Sequence, residues 1–168
     1  MPKKASIGGL VNNLPVASER LKKKLKQLER HPDQYQRYNQ EVMKFVEEGH
    51  AEEIVDFEPG ESNASDGSYY IPHHAVVSKT DSTEKWRIVF DCSAKAEGAD
   101  SLNDLLLPGP DLNPQLVTLL LNFRVHPVAV SADVAKAYMM IALCPSDQRL
   151  FRFLWRRPGE VRIRAYQR

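Results

Sequence analysis

The chain has 168 residues, 42% hydrophobic and 27% charged, with a net charge of +1, values that exclude a disordered chain and suit one domain with a real core. No stretch approaches the roughly 18–20 apolar residues of a membrane-spanning helix, and Met1-Pro-Lys-Lys-Ala-Ser-Ile-Gly-Gly9 lacks the hydrophobic centre of a secretory signal. Cys92 and Cys144 stand far apart, which argues against a zinc cluster and for a reducing compartment, cytoplasmic or nuclear, with no membrane partner.

Residues 1–17 read as an N-terminal tail. A first helix is predicted over residues 18–30, with Leu21, Leu25 and Leu28 on one face and Ser18 as N-cap. His31-Pro32 ends it, because the residue before a proline is pushed out of helical geometry. A second helix over residues 33–48 aligns Tyr35, Tyr38, Val42 and Phe45 or Val46, with Gly49 as its C-terminal stop. Residues 51–67 carry six acidic and no basic side chains, so 51–68 reads as an acidic connector.

Residues 69–91 predict a hairpin around the polar turn Lys79-Thr-Asp-Ser-Thr-Glu84. Adjacent strand residues point to opposite faces, so His73 and His74 cannot easily share a metal. Residues 92–113 read as irregular with a short turn at Leu102–Leu107, and a helix is predicted over 114–124. The apolar run 127–133 predicts a buried strand ending on Asp133, and 139–143 a second strand. A last hairpin, 150–156 with 161–166, turns at Arg157-Pro-Gly-Glu160. Residues 148–168 hold seven Arg against Glu160. Arg favours bidentate contacts to phosphate or carboxylate, and a solvated face is the simpler account of the charge. The element order is an α+β pattern.

Asp133 is the best candidate for chemistry. An ionised carboxylate at the end of an apolar strand is costly unless something pairs with it, and Mg²⁺ prefers one or two carboxylates plus phosphates. Capping the turn Val134–Tyr138 is the plainer structural role for the same residue. Tyr138 also fits simple core, Arg87 beside Trp86 a solvent-facing cation, and Lys79 and Lys85 surface lysines. Asp91 reads as a strand-end turn former. No Gly-rich phosphate loop, nucleophile elbow or metal-spaced Cys/His set is present.

Taken in order, the motifs resemble a family. Lys79-Thr-Asp-Ser-Thr-Glu-Lys-Trp-Arg87 is similar to the fingers hairpin of reverse transcriptases, and Asp133-Val-Ala-Lys-Ala-Tyr138 to their first palm motif. Tyr70-Ile-Pro-His-His-Ala-Val76, Arg87-Ile-Val-Phe-Asp-Cys-Ser-Ala-Lys95, Ser101-Leu-Asn-Asp-Leu-Leu-Leu-Pro-Gly-Pro110 and Phe151-Arg-Phe-Leu-Trp155 resemble reverse transcriptases of BEL/Pao-type LTR retrotransposons. The resemblance covers about residues 18–168 and implies a right-hand polymerase fold: N-terminal helices 18–50, connector 51–68, fingers 69–125 and the start of the palm 126–168.

It further implies two-metal nucleotidyl transfer on an RNA or DNA template-primer. Asp133 and the backbone carbonyl of Val134 would contact Mg²⁺, and Arg87 with Lys79 or Lys85 would hold the triphosphate of a deoxynucleotide. Tyr138 would exclude a 2′-hydroxyl by size. The Arg-rich C-terminal strands would face template or primer phosphates, and further polyprotein segments are possible partners. The aromatic-x-Asp-Asp motif of the family is missing from the 168 residues. The expectation is therefore a fragment, stopped before the second and third palm motifs, that is inactive alone. The alternative is a non-catalytic nucleic-acid-binding or protein-interaction remnant.

Overall fold

Leu14, Ala17, Leu21, Leu25 and Leu28 form one buried stripe along helix α1 (Leu14–Leu28) of the computed structural model, which describes residues 11–58, 67–80 and 83–168. The N-cap expected at Ser18 is corrected: the helix begins four residues earlier, with Pro15 in its first turn. The Leu14 N–H donates to Asn12 Oδ1 at 2.9 Å, a local cap, and a long-range contact adds to it. The Asn13 side chain pairs with the backbone of Tyr70 in both directions, Nδ2 donating to its carbonyl at 2.7 Å and Oδ1 accepting from its N–H at 2.8 Å. Helix α2 (Pro32–Glu47) buries Tyr35, Tyr38 and Val42 as its spacing predicts. Gly49, at φ +72°, lies in the left-handed region that glycine enters without cost and turns the chain out of the helix.

Both helices cover a three-stranded antiparallel sheet of order β1-β5-β4, from β1 (Glu52–Glu53), β4 (Arg152–Trp155) and β5 (Arg164–Gln167). The β4–β5 pair is the expected last hairpin, with Phe153 opposite Tyr166 and Leu154 opposite Ala165. The other expected hairpin forms too, as β2 (His73–Lys79) and β3 (Glu84–Phe90). The turn 102–107 contains a one-turn helix α3 (Leu102–Leu105), started by a reciprocal Ser101–Asp104 capping box. Residues 1–10 of the expected tail, 59–66 of the connector, and Asp81 and Ser82 of the hairpin turn lie outside the described residues.

An aromatic cluster fills the core. Trp155 is fully buried, stacked on Tyr38 at 4.7 Å between centroids and edge-on to Tyr35 at 5.8 Å. Phe153 stacks on Tyr166 at 5.2 Å. The His73 ring sits among Tyr38, Phe90, Phe153 and Trp155, each 5.6–5.7 Å away.

The sheet also explains the uneven charge along the chain. Part of the connector expected to be a loop is β1, paired with β5 through Glu52–Gln167 and Glu53–Tyr166. Its acidic residues meet the Arg-rich hairpin: Glu53 accepts from Arg157 at 3.2 Å and from Arg164, and Glu58 accepts from Arg162 at 3.0 Å. Glu160 adds a 2.9 Å contact to Arg164, and Glu29 binds Arg156. Among the described residues at least four of the seven C-terminal arginines are thus held by carboxylates. Such a network is worth more than one exposed pair but stays screened by salt. Glu53→Gln is expected to cost about 1 kcal/mol in low salt, and urea unfolding should show that difference shrinking in 1 M NaCl.

By contact the chain divides into two units, residues up to Leu106 with Leu143–Arg168, and Leu107–Ala142. Residues 126–142 therefore fall in one and 143–168 in the other. The second unit holds the expected helix, α4 (Leu116–Phe123), which buries none of its residues, and a single 3-10 turn, Ala137–Met140. The strand expected over 127–133 is corrected to an irregular exposed run: no strand among the described residues pairs with it, and Val128 and Val130 are 76% and 83% exposed. The second strand expected over 139–143 is likewise replaced by the 3-10 turn and irregular chain. An apolar run becomes a strand only when a neighbour satisfies its backbone. Short helix α5 (Pro145–Gln148) leads into β4. Among the described residues no helix is long and apolar enough to cross a membrane.

Candidate functional site

The β2–β3 register decides how the hairpin presents its cations. Residues directly opposite in an antiparallel pair share a face, and faces alternate along each strand. His74 with Val89, Val76 with Arg87, and Ser78 with Lys85 therefore make one face. His73 with Phe90, Ala75 with Ile88, Val77 with Trp86, and Lys79 with Glu84 make the other. The second face turns inward, and Ala75, Trp86, Ile88 and Phe90 pack on the core. Every residue of the first face is exposed.

This separates the two candidate lysines. Lys79 lies on the inward-facing side near the tip and pairs with Glu84 at 3.6 Å. Glu84 also accepts from Trp86 Nε1 at 2.6 Å, which fixes its carboxylate on that side. Lys85 and Arg87 stand two residues apart on the open face, and neither has an ion-pair partner among the described residues. They differ in this from the arginines of the C-terminal hairpin, whose charge is largely spent on Glu29, Glu53, Glu58 and Glu160. Two cations with no carboxylate between them suit an anion of two or more charges, such as a chain of phosphates.

Asp91 is the turn former its position suggests. Its Oδ1 accepts from the backbone of Ser93 at 3.2 Å and from the Ser93 hydroxyl, and Oδ2 accepts from Arg20 at 3.1 Å. The Ser93 hydroxyl, more than Arg20, holds this carboxyl below the usual range.

Asp133, Val134 and Tyr138 lie in the second unit and are all exposed, Tyr138 at 85%. The turn between them places Lys136 at φ +52°, a left-handed conformation that costs a non-glycine residue about 1 kcal/mol. Among the described residues no group of three His, Cys, Asp or Glu side chains could hold a metal ion. Asp133 with the Val134 carbonyl is a thinner ligand set than a firmly held Mg²⁺ requires, and it supplies at most one carboxylate of a two-ion centre.

Two groupings escaped the sequence reading. One is the Glu53–Arg157–Arg164–Glu160 cluster, signalled by the opposed charges of the two segments. The other is the pair Tyr38–His73, 2.7 Å apart, with His73 Nε2 3.0 Å from the Leu154 carbonyl. A carbonyl only accepts, so Nε2 carries the proton, and the Tyr38 hydroxyl donates to Nδ1. No family model matches the chain, and no curated protein or solved structure matches it.

Proposed function

We propose that this chain is the fingers and first palm segment of a retrotransposon RNA-directed DNA polymerase of the BEL/Pao type, with the β2–β3 hairpin as a clamp for the triphosphate of an incoming deoxynucleotide. The observation that carries the reading is the open face holding Lys85 and Arg87 together, with no carboxylate partner among the described residues. Lys85 is the second cation of the clamp, because Lys79 faces the other way and is paired with Glu84. Asp133 would contribute one metal-binding carboxylate, Val134 its carbonyl, and Tyr138 a wall against a 2′-hydroxyl.

Titration calorimetry with dTTP tests the clamp. Lys85→Gln and Arg87→Gln are each expected to weaken binding roughly tenfold, the worth of one charge-assisted contact at an exposed site. Lys79→Gln should change little. Equal losses from all three would reduce the clamp to diffuse charge. On poly-rA/oligo-dT with Mg²⁺ the 168-residue chain is expected to give no extension, and product that disappears in Asp133→Asn would overturn that.

A second reading, a non-catalytic interaction protein, is favoured by the exposed apolar residues of α4, including Leu116, Val117 and Leu121 at 63–69%. Under that reading dTTP binding is absent, and self-association of the purified chain depends on these side chains.

A further inference from the structure

A cleft of about 200 Å³ opens between α1 and the start of β2. Its floor is apolar, made by Leu21, Ile71, Pro72 and Leu154, and its rim carries Arg20, Lys24 and His74. One carboxylate, Asp91, also lines it. That carboxylate already accepts from Ser93 and Arg20, so its charge is answered within the fold. Arg20 gives one N–H to it, and a guanidinium has five. Among the described residues Lys24 makes only a long 3.4 Å contact to Gln27, which leaves donors to spare. His73 forms part of the wall, with both ring nitrogens committed to Tyr38 and the Leu154 carbonyl.

An apolar floor under a cationic rim selects a ligand with a flat apolar part and an anionic part. The volume lies below the roughly 300–1,000 Å³ of pockets for larger organic ligands, which suits a single ring system. We propose that this cleft binds one nucleotide. Its base lies over Pro72 and Leu21, and its phosphate is held by Lys24, Arg20 and the His74 ring. The nucleotide is free or is one unit of a single strand, since both present the same chemistry. The proposal uses neither Lys85 nor Arg87 and does not rest on the triphosphate clamp.

Titration calorimetry with AMP, pyrophosphate and a dT decamer separates the possibilities. AMP or the decamer is expected to bind at least about tenfold more tightly than pyrophosphate, because only they use the floor. Lys24→Gln/His74→Gln should weaken that binding at least about tenfold, and Lys85→Gln/Arg87→Gln should leave AMP unchanged. Both cleft substitutions replace polar side chains at the cleft rim, so an unchanged melting temperature will show that the fold is intact. AMP binding marks a free-nucleotide site. Binding of the decamer alone, lost in the cleft variant, marks a strand site, and Lys24→Gln should then lower its salt slope by about 0.7. Pyrophosphate binding as tightly as AMP, binding indifferent to the cleft variant, or no binding of either nucleotide probe would overturn the proposal.

Discussion

Trp155→Ala is expected to destabilise the chain by about 3–5 kcal/mol, the range for removing a large aromatic ring from a packed core. The ring is fully buried, stacked on Tyr38 and edge-on to Tyr35, so no side of it faces water. Its Nε1 donates to Asn39 Oδ1 at 2.9 Å, and truncation leaves that acceptor to find another donor. The ring's neighbours come from α2 and from β2, which limits how far any one can shift to fill the gap. Domains of this size are stable by only about 5–15 kcal/mol, so the loss is a large share of the total. With a urea slope of about 2 kcal/mol/M, the midpoint should fall by roughly 2 M at unchanged slope. Phe123→Ala is the contrasting case: Phe123 is 49% exposed on α4, and its change should stay within about 0.5 kcal/mol. Equal effects from the two substitutions would mean that Trp155 is not the centre of the core.

The parts of this fold legible in the sequence are those that local periodicity specifies. The stripe Tyr35, Tyr38, Val42 is buried as its spacing requires, and the two hairpins fall between turn residues that announce them. What was not legible depends on contacts between distant segments. The start of α1 combines a local contact, Asn12 Oδ1 accepting from the Leu14 N–H, with Asn13 reaching the backbone of Tyr70, 57 residues away, and only the first of these is encoded locally. By sequence the acidic stretch reads as a connecting loop and the Arg-rich end as a solvated face, and the β1–β5 pairing is what joins them. For the candidate site, the spacing of Lys85 and Arg87 already put both on one face. The side occupied by Lys79 depends on the register across the turn, which the sequence leaves open. The run ending at Asp133 shows the opposite failure, because apolar content without a pairing partner does not make a strand.

Acid is expected to unfold this protein through His73. The unfolded imidazole titrates at 6.5, whereas burial in the aromatic cluster lowers it to about 4, with the positive charges of His74 and Lys24 adding to the effect. The hydrogen bond to the Leu154 carbonyl opposes this lowering without offsetting it. The Tyr38 hydroxyl donates to Nδ1, and burial pushes that phenol up, so it does not take on negative charge to favour the cation. Because the folded value lies below the unfolded one, the unfolded state binds the extra proton first. The stability contributed by neutral His73 is present in full above pH 6.5 and is lost as pH falls toward 4. The loss amounts to about 3 kcal/mol at pH 4, since each tenfold difference in proton affinity between the two states is worth about 1.4 kcal/mol. The carboxyls of Asp91 and Asp104, held below their ordinary 3.8 mainly by hydrogen bonds from Ser93 and Ser101, contribute stability that is lost only at lower pH, outside this window. Urea titrations between pH 7 and 4 should therefore show a fall in the wild-type chain that is largely absent from Tyr38→Phe/His73→Phe. That double variant keeps two rings in the cluster and removes the titrating group, at the cost of the donor to Leu154. A fall of the same size in the double variant would assign the acid sensitivity to other groups and remove His73 as its source.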